Sequence, residues 1–557
     1  MLLDVLIAAE DLGRLREITR ILLRFGFDDV ARRMGLVGLL QRAGQVLNIE
    51  TIDSDFGGST ARRARLALEE LGPTFVKLGQ VLAGRSDLLP PEWITELGQL
   101  QSKVATVPWD ELAVQLREDL GADPGAVFED LELEPLAAGS MGQVHAASLP
   151  DGRRVVLKVR RPGVEKKVAS DLRLLARLAE LLEKEVEELR RFRPTKVVRQ
   201  FSRSIRAELD FTIEARNTRL VARNLTDSPE LVIPEVFDEY TTTSLLVLER
   251  IDGLSASDWP ISPRRSEFDG PAIAALGARA ILKMVFEDGV YHADPHPGNL
   301  IFLADGRAAL LDFGMIGRLS EARREQFALL LAAVVERDEE GLVDTLLEWS
   351  DGGDTDLEAL EQDCHDFLDR YTGHELQDID VAALLLDMTR MVRENDLALP
   401  ADVAGLIKVF LSLEGLGRQL DPGFSLDEHL EPVARRMMLR LRSPKRLLLS
   451  NWREVRRLAI SLPRDVRKAA QRLRRGGFKV ELDLERLETF GRRLEHAANR
   501  VTVGLITSAL IVGTSISMTI ETEYTLFDLP VLGFLGFATS FGIGLVLLWS
   551  ILRSGIR

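Results

Sequence analysis

One stretch constrains this chain more than any other: Tyr291-His292-Ala293-Asp294-Pro295-His296-Pro297-Gly298-Asn299, followed by Leu311-Asp312-Phe313-Gly314. Pro295 and Pro297 stiffen the loop between Asp294 and Asn299. The apolar run Leu300-Ile301-Phe302 comes next, Asp305-Gly306 marks a turn, and Ala308-Ala309-Leu310-Leu311 reads as the returning arm of a short hairpin. That hairpin brings Asp312 beside Asn299. An amide and a carboxylate then face one point, both hard oxygen donors of the kind Mg²⁺ selects.

Phosphoryl transfer from ATP draws on two loops of this form, H-R-D-x-x-x-x-N and D-F-G. The frame here is His292-Ala293-Asp294, four residues, then Asn299. Asp294 is the candidate catalytic carboxylate, and Asn299 and Asp312 are the candidate Mg²⁺ ligands. His292 is expected to pack on the loop without doing chemistry. His296, flanked by prolines, reads as a rigid loop position. Either motif alone is a turn-rich loop or a chance tripeptide; both, in order and joined by a hairpin pattern, are not.

Upstream, Ala137-Ala138-Gly139-Ser140-Met141-Gly142-Gln143-Val144 aligns with a phosphate-covering loop G-x-G-x-x-G-x-V, with Ala137 at the first glycine and Gly139, Gly142 and Val144 matching. A turn at Asp151-Gly152 leads to Val155-Val156-Leu157-Lys158-Val159, a strand bearing a lysine. Its amine reaches the α/β-phosphates in such a site. A helical span over 168–224 carries Glu208, Asp210 and Glu214. A carboxylate there pairs with Lys158; Glu214 is preferred, with Glu208 as rival. Val232 to Val236 and Ser244 to Glu249 read as strands, and Glu249 runs into a hinge, Arg250-Ile251-Asp252-Gly253, whose backbone meets adenine.

Only Met315 to Leu319 separate Gly314 from Ser320, a good helix N-cap. No A-P-E comes after it, and no segment is long enough to hold a peptide acceptor. Residues 320–430 read as helical and polar-faced, with no further chemistry. Residues 1–70 also read as helices, through Leu12, Leu15, Ile18, Leu22 and Phe25. Then comes Lys77-Leu78-Gly79-Gln80, in which Lys77 and Gln80 share a helix face and Gly79 permits close backbone approach.

The 557 residues call for two or three units, and one cysteine, Cys364, excludes a disulfide framework and fits a reducing compartment. Asp4, Glu10 and Asp11 break the first apolar run too early for a secretion signal. The formal charge of −16 is unevenly spread. From Arg435 to Lys479 there are 16 Lys or Arg against two acids, so an island of +14 sits in a remainder of −30. Such an island suits an anionic surface, either membrane lipid or nucleic acid. Two C-terminal segments favour the membrane: Val501 to Ile520 and Val531 to Leu552 are uncharged runs of spanning length, divided by the acidic Glu521 to Asp528. Arginines flank both outer ends, which places both in the cytoplasm and makes the pair a hairpin.

With these residues in hand, the chain resembles the UbiB/ADCK family of atypical kinases over roughly residues 12–430. Lys77-Leu78-Gly79-Gln80 fits the family's K-x-G-Q motif, Arg85-Ser86-Asp87-Leu88-Leu89-Pro90 comes next as expected, Glu208-Leu209-Asp210 fits E-x-D, and Ala293 to Asn299 fits the catalytic loop. One departure is Gly139, where the family's loop reads Ala-Ala-Ala-Ser. The resemblance implies an α+β, protein-kinase-like bilobal fold whose helical N-terminal extension (1–130) packs over the site with Lys77, Gly79 and Gln80. It implies an N-lobe at 131–253, a C-lobe at 254–430, a basic helical region at 431–500 and a transmembrane helical hairpin at 501–557. It further implies ATP and Mg²⁺ as cofactors and ATPase activity tied to coenzyme Q (prenylquinone) biosynthesis. The expected setting is the cell inner membrane, multi-pass, with the kinase-like part cytoplasmic. The expected partners are anionic lipids, prenylquinone precursors and quinone-biosynthesis enzymes, with no nucleic acid. Two alternatives stand beside this reading: a small-molecule or lipid phosphotransferase, and a non-catalytic lipid-binding scaffold, against which intact Asp294, Asn299, Asp312 and Lys158 argue.

Overall fold

A computed structural model describes residues 9–28, 59–100, 106–185, 193–349, 356–371 and, single positions apart, 380–430, with isolated residues beyond. The chain divides into two units, Met1–Arg442 and Ser443–Arg557.

The first unit opens with the extension. Helix α1 (Ala9–Arg24) buries Leu15, Ile18 and Ile21 at helical spacing. Helix α2 (Thr60–Leu71) starts at Ser59, whose hydroxyl accepts from the Arg62 amide, and ends at Gly72, whose φ of 98° lets the chain turn at once into α3 (Pro73–Ala83). Pro73 takes the first turn of α3, where a missing N–H costs nothing. Helices α4 (Pro91–Gly98) and α5 (Trp109–Leu120) complete the run.

The N-lobe sheet has the order β1 (Ala137–Ala138), β2 (Gly142–Ser148), β3 (Arg154–Arg160), β5 (Leu245–Glu249), all antiparallel. Alternation along β3 decides where its lysine goes. Val155, Leu157 and Val159 pack with Leu112, Leu116 and Phe128 on one face, so Val156 and Lys158 lie on the other. Among the described residues, the helical span expected over 168–224 is three helices: α6 (Val164–Glu185), α7 (Pro194–Glu208) and α8 (Phe211–Asn224). Pro194 restarts the helix after Arg193, and Asp210 caps α8. Phe211 and Ala215 of α8 pack against Val156, Leu246 and Leu248, which lays this helix on the lysine-bearing face.

In the C-lobe, β4 (Leu231–Val232) lies parallel to β9 (Ala308–Leu310), which pairs with β8 (Leu300–Phe302) and through it with β6 (Leu254–Ser255). The strand expected at Val232 to Val236 is therefore split: its start joins this second sheet, and Val236 only bridges Leu248. The expected hairpin is present, with Leu300 opposite Leu310 and Gly306 at φ 85° in the turn. Helix α9 (Gly270–Leu282) continues into a π-helical turn at Lys283–Asp288 before β7 (Val290–His292). Met315 to Leu319 are spent on β10 (Ile316–Arg318), paired with β7, and Ser320 caps α10 (Glu321–Glu336). Helices α11 (Glu339–Trp349), α12 (Leu357–Arg370), α13 (Val381–Glu394) and α14 (Ala401–Leu420) build the main core with α9.

In the second unit, Thr525–Leu526 pairs antiparallel with Leu529–Pro530. Among the described residues no helix is long and apolar enough to cross a membrane. The runs 501–520 and 531–552 and the basic island lie, single positions apart, outside the described residues.

Candidate active site

Lys158 stands at the centre. Its Nζ donates to both Glu214 oxygens, at 2.8 and 2.9 Å, and to Asp312 Oδ2 at 3.1 Å. Glu214 is thus the lysine's partner, and Glu208 is not. Burial works to lower the Lys158 pKa, but Asp312 and Glu214 outweigh it and hold the ammonium charged. One cation between two carboxylates splits them. Burial lifts Glu214 to about 7, Asp312 pushes the same way and Lys158 opposes. Burial also works to raise Asp312, yet Lys158 and the Gly314 N–H hold it well below the usual carboxylate range. Asp312 has φ 54°, a left-handed conformation uncommon outside glycine, and its Oδ1 accepts from Gly314 N at 3.0 Å.

The loop around Asp294 is fixed by histidines. His292 is buried; its Nδ1 accepts from the Asp294 amide at 3.2 Å, so Nε2 carries the proton and donates to the Leu311 carbonyl at 3.0 Å. His296 Nδ1 accepts from Gly298 N at 3.0 Å, tightening the turn. Asn299 Nδ2 donates to the Asp294 carbonyl at 3.2 Å, and the Asn299 carbonyl accepts from Leu311 N at 2.8 Å, which places Asp312 one residue away.

On the phosphate side, Gly139 N donates to the Gly142 carbonyl at 2.9 Å, closing the loop around a buried Ser140. Ala137 pairs with Val144 and Ala138 with Gln143. Glu249 is exposed at the end of β5, and its carboxylate accepts from the Glu235 amide at 3.2 Å.

The extension reaches the same cleft. Lys77 Nζ lies 2.9 Å from Glu208 at the end of α7. Burial alone would lower its pKa, but Glu208, with Asp294 and Asp312 beyond, raises it. Asp210 accepts from Thr212 and starts the helix carrying Glu214. Gly79 permits a close approach: a Cβ there would lie 2.2 Å from a Leu100 methyl, which would have to shift. Gln80, expected to press on the site, donates to the Leu100 carbonyl at 3.1 Å within the extension.

Three residues have roles that the sequence did not show. Lys408 Nζ lies 2.9 Å from Asp294 Oδ1, so the stretch 320–430, expected to hold no chemistry, supplies a residue to the site. Its signal was available: it is a lone lysine in the apolar run Val403 to Leu413. Asn217, buried on α8, donates to the Phe313 carbonyl at 3.0 Å. Asp87, also buried, accepts from Leu399 N at 3.1 Å, fastening the extension to the C-lobe.

Comparison with known proteins places the chain in a family. Residues 99–346 match the ABC1 atypical kinase-like domain, 364–425 the UbiB helical domain and 485–553 the ABC1/UbiB kinase-like C-terminal domain. The chain is 37% identical over 365 residues to uncharacterized protein slr0889 of Synechocystis sp., covering 63% of this chain and 88% of that one. It is 34% identical over 445 residues to the probable protein kinase UbiB of Pseudomonas aeruginosa, covering 78% and 83%. The chain belongs to the ABC1/UbiB family of atypical kinases. Among solved structures, the complex of Rv3197 with erythromycin from Mycobacterium tuberculosis is similar at 21% identity, covering 62% of this chain and 87% of that one, with a TM-score of 0.42. Within this chain, Lys77 of the Lys77–Gln80 stretch meets Glu208 of the Glu208–Asp210 stretch.

Proposed function

We propose that the chain is a membrane-anchored, ATP-dependent atypical kinase or ATPase that supports prenylquinone biosynthesis by acting on or extracting lipid precursors in an anionic bilayer. The observation that carries this reading is Lys158 shared between Glu214 and Asp312, with the Asp294 loop packed against the same Asp312 segment. Asn299 and Asp312 offer the two hard oxygen ligands that Mg²⁺ takes from protein when phosphates supply others. Asn299 and Asp312 would hold Mg²⁺, which would supply charge neutralisation at the phosphates. Lys158 holds the phosphates under the Gly139–Gly142 loop, and the Arg250–Gly253 backbone borders the adenine. Asp294 orients the acceptor and takes its proton as the acceptor oxygen bonds to the γ-phosphorus. The bond from that phosphorus to the bridging oxygen breaks, and ADP leaves with the electron pair.

The acceptor in this reading is water or a small hydroxyl compound. The residues after Gly314 form β10 and then α10, so no platform for a peptide exists between them. Anchoring through 501–552 rests on the two uncharged runs, their arginine flanks and the antiparallel pairing of Thr525–Leu526 with Leu529–Pro530. The test is phosphate release by the full chain in anionic vesicles, with and without a prenylquinone-precursor analogue. Lipid-stimulated release that Asp294→Asn abolishes is expected. A radiolabelled product on the analogue would favour the phosphotransferase reading, and no nucleotide turnover at all would leave the scaffold.

A further inference from the structure

A transferring phosphoryl group spreads negative charge over its oxygens, and a site stabilises it by cations fixed in advance. The catalytic loop of this chain supplies none of its own. Between Asp294 and Asn299 stand Pro295, His296, Pro297 and Gly298, and the His296 ring accepts from Gly298 N. Lys158 lies between Glu214 and Asp312, on the side where it reaches the α/β-phosphates, and Lys77 pairs with Glu208, with Asp294 beyond. The acceptor side of Asp294 is faced instead by Lys408, from α14, with Nζ 2.9 Å from Asp294 Oδ1.

Several features set this pair apart from a structural ion pair. Both side chains are open to the cleft, Lys408 at 37% exposure and Asp294 at 40%, so the bridge contributes little to stability. The lysine stem is led past the extension at Gly84, where a Cβ would stand 3.3 Å from Lys408 Cδ. The backbone of Asp294 is held by His292 and Asn299, whereas its carboxylate is held by Lys408.

We infer that Lys408 is the positioning residue of Asp294: it fixes Oδ1, turns Oδ2 toward the acceptor and places a cation beside the transferring phosphoryl group. This rests on the reading of Asp294 as the carboxylate of an ATP-dependent site. A consequence is that the stretch matching the UbiB helical domain, 364–425, is part of the reaction centre. The extension borders it, because Gly84 lies against the lysine stem.

The test uses the full chain in vesicles of phosphatidylcholine and phosphatidylglycerol with Mg-ATP. Lys408→Met is expected to lower kcat about 10- to 100-fold with KM for ATP little changed, and Lys408→Arg to restore most of it. A second readout needs no turnover: acetylation footprinting of the lysines, in which Lys408 is protected in the wild type and becomes reactive in Asp294→Asn. Wild-type kcat in Lys408→Met, a rise in KM in place of the kcat loss, or a Lys408 amine equally reactive with and without the Asp294 carboxylate overturns the inference. If Asp294→Asn itself turns over ATP like the wild type, the failure belongs to the reading of the site. The footprint still decides the contact should Lys408→Met not fold.

Discussion

Lys77 and Glu208 stand 131 positions apart in the chain and 2.9 Å apart in space. This pair joins the extension to the end of α7, and Asp210 caps α8 two residues later. The extension is tied on its other sides by Arg14 to the buried Asp171 at 2.6 Å and by Asp87 to Leu399. It is therefore fastened to both lobes.

Removing one member of the Lys77–Glu208 pair leaves a largely buried charge without its counterion. Lys77→Met is expected to weaken the docked extension by roughly 3 kcal/mol, and Lys77→Met with Glu208→Gln by less. Hydrogen exchange across α3 in a double-mutant cycle measures this. Equal exchange in both single variants and the wild type would remove the pair from any fastening role.

Glu214 is expected to titrate near 7 in the nucleotide-free protein. Its folded pKa is raised above the ordinary 4.5, so the folded state binds the proton more tightly and stability from this group falls as pH rises from about 4.5 to about 7. Asp312→Asn removes a neighbouring negative charge and should move the titration down. Carbon-detected NMR of glutamate-labelled protein reads both values, and an upward move would contradict the electrostatics.

The two loop glycines should respond differently to alanine. At Gly142 a Cβ would lie 2.7 Å from the Val159 carbonyl, a backbone atom that cannot turn aside. At Gly139 the nearest atom is the Gly142 carbonyl at 3.5 Å, an ordinary contact. Gly142→Ala should cost about 1–3 kcal/mol, while Gly139→Ala, which restores the family's loop sequence, should stay within about 0.5 kcal/mol. Thermal unfolding decides between them.

How much of this was legible depends on the reach of each signal. The Asp294–Asn299 loop and its hairpin could be read because every step is local: prolines, a turn at Asp305-Gly306 and two apolar arms. Lys158 could be placed because strand alternation sends it opposite Val155, Leu157 and Val159. Glu214 is preferred over Glu208 from the sequence, and the packing of Phe211 on Leu246 is what lays it beside Lys158. Lys408 and Asp87 act across more than a hundred and more than three hundred positions respectively. Their partners are chosen by how α14 and the extension dock, so the sequence offered at most a lone lysine in an apolar run. The helix breaks at Arg193 and Asp210 had visible causes, Pro194 and the capping aspartate, that helical periodicity obscured.

No protein substrate in trans is expected. A phosphoproteomic comparison of cells carrying the wild type and Asp294→Asn should show no reproducible loss at particular protein sites. Such a loss, repeated with purified components, would sink this expectation.

The Mg-nucleotide site itself is tested most directly by titration calorimetry of Mg-ATP into the full chain and its Asp312→Asn variant. The geometry of Asn299, Asp312 and Lys158 predicts measurable binding by the wild type and loss of most Mg²⁺-linked affinity in a variant that melts as the wild type does. Unchanged Mg-ATP affinity in that folded variant would contradict it.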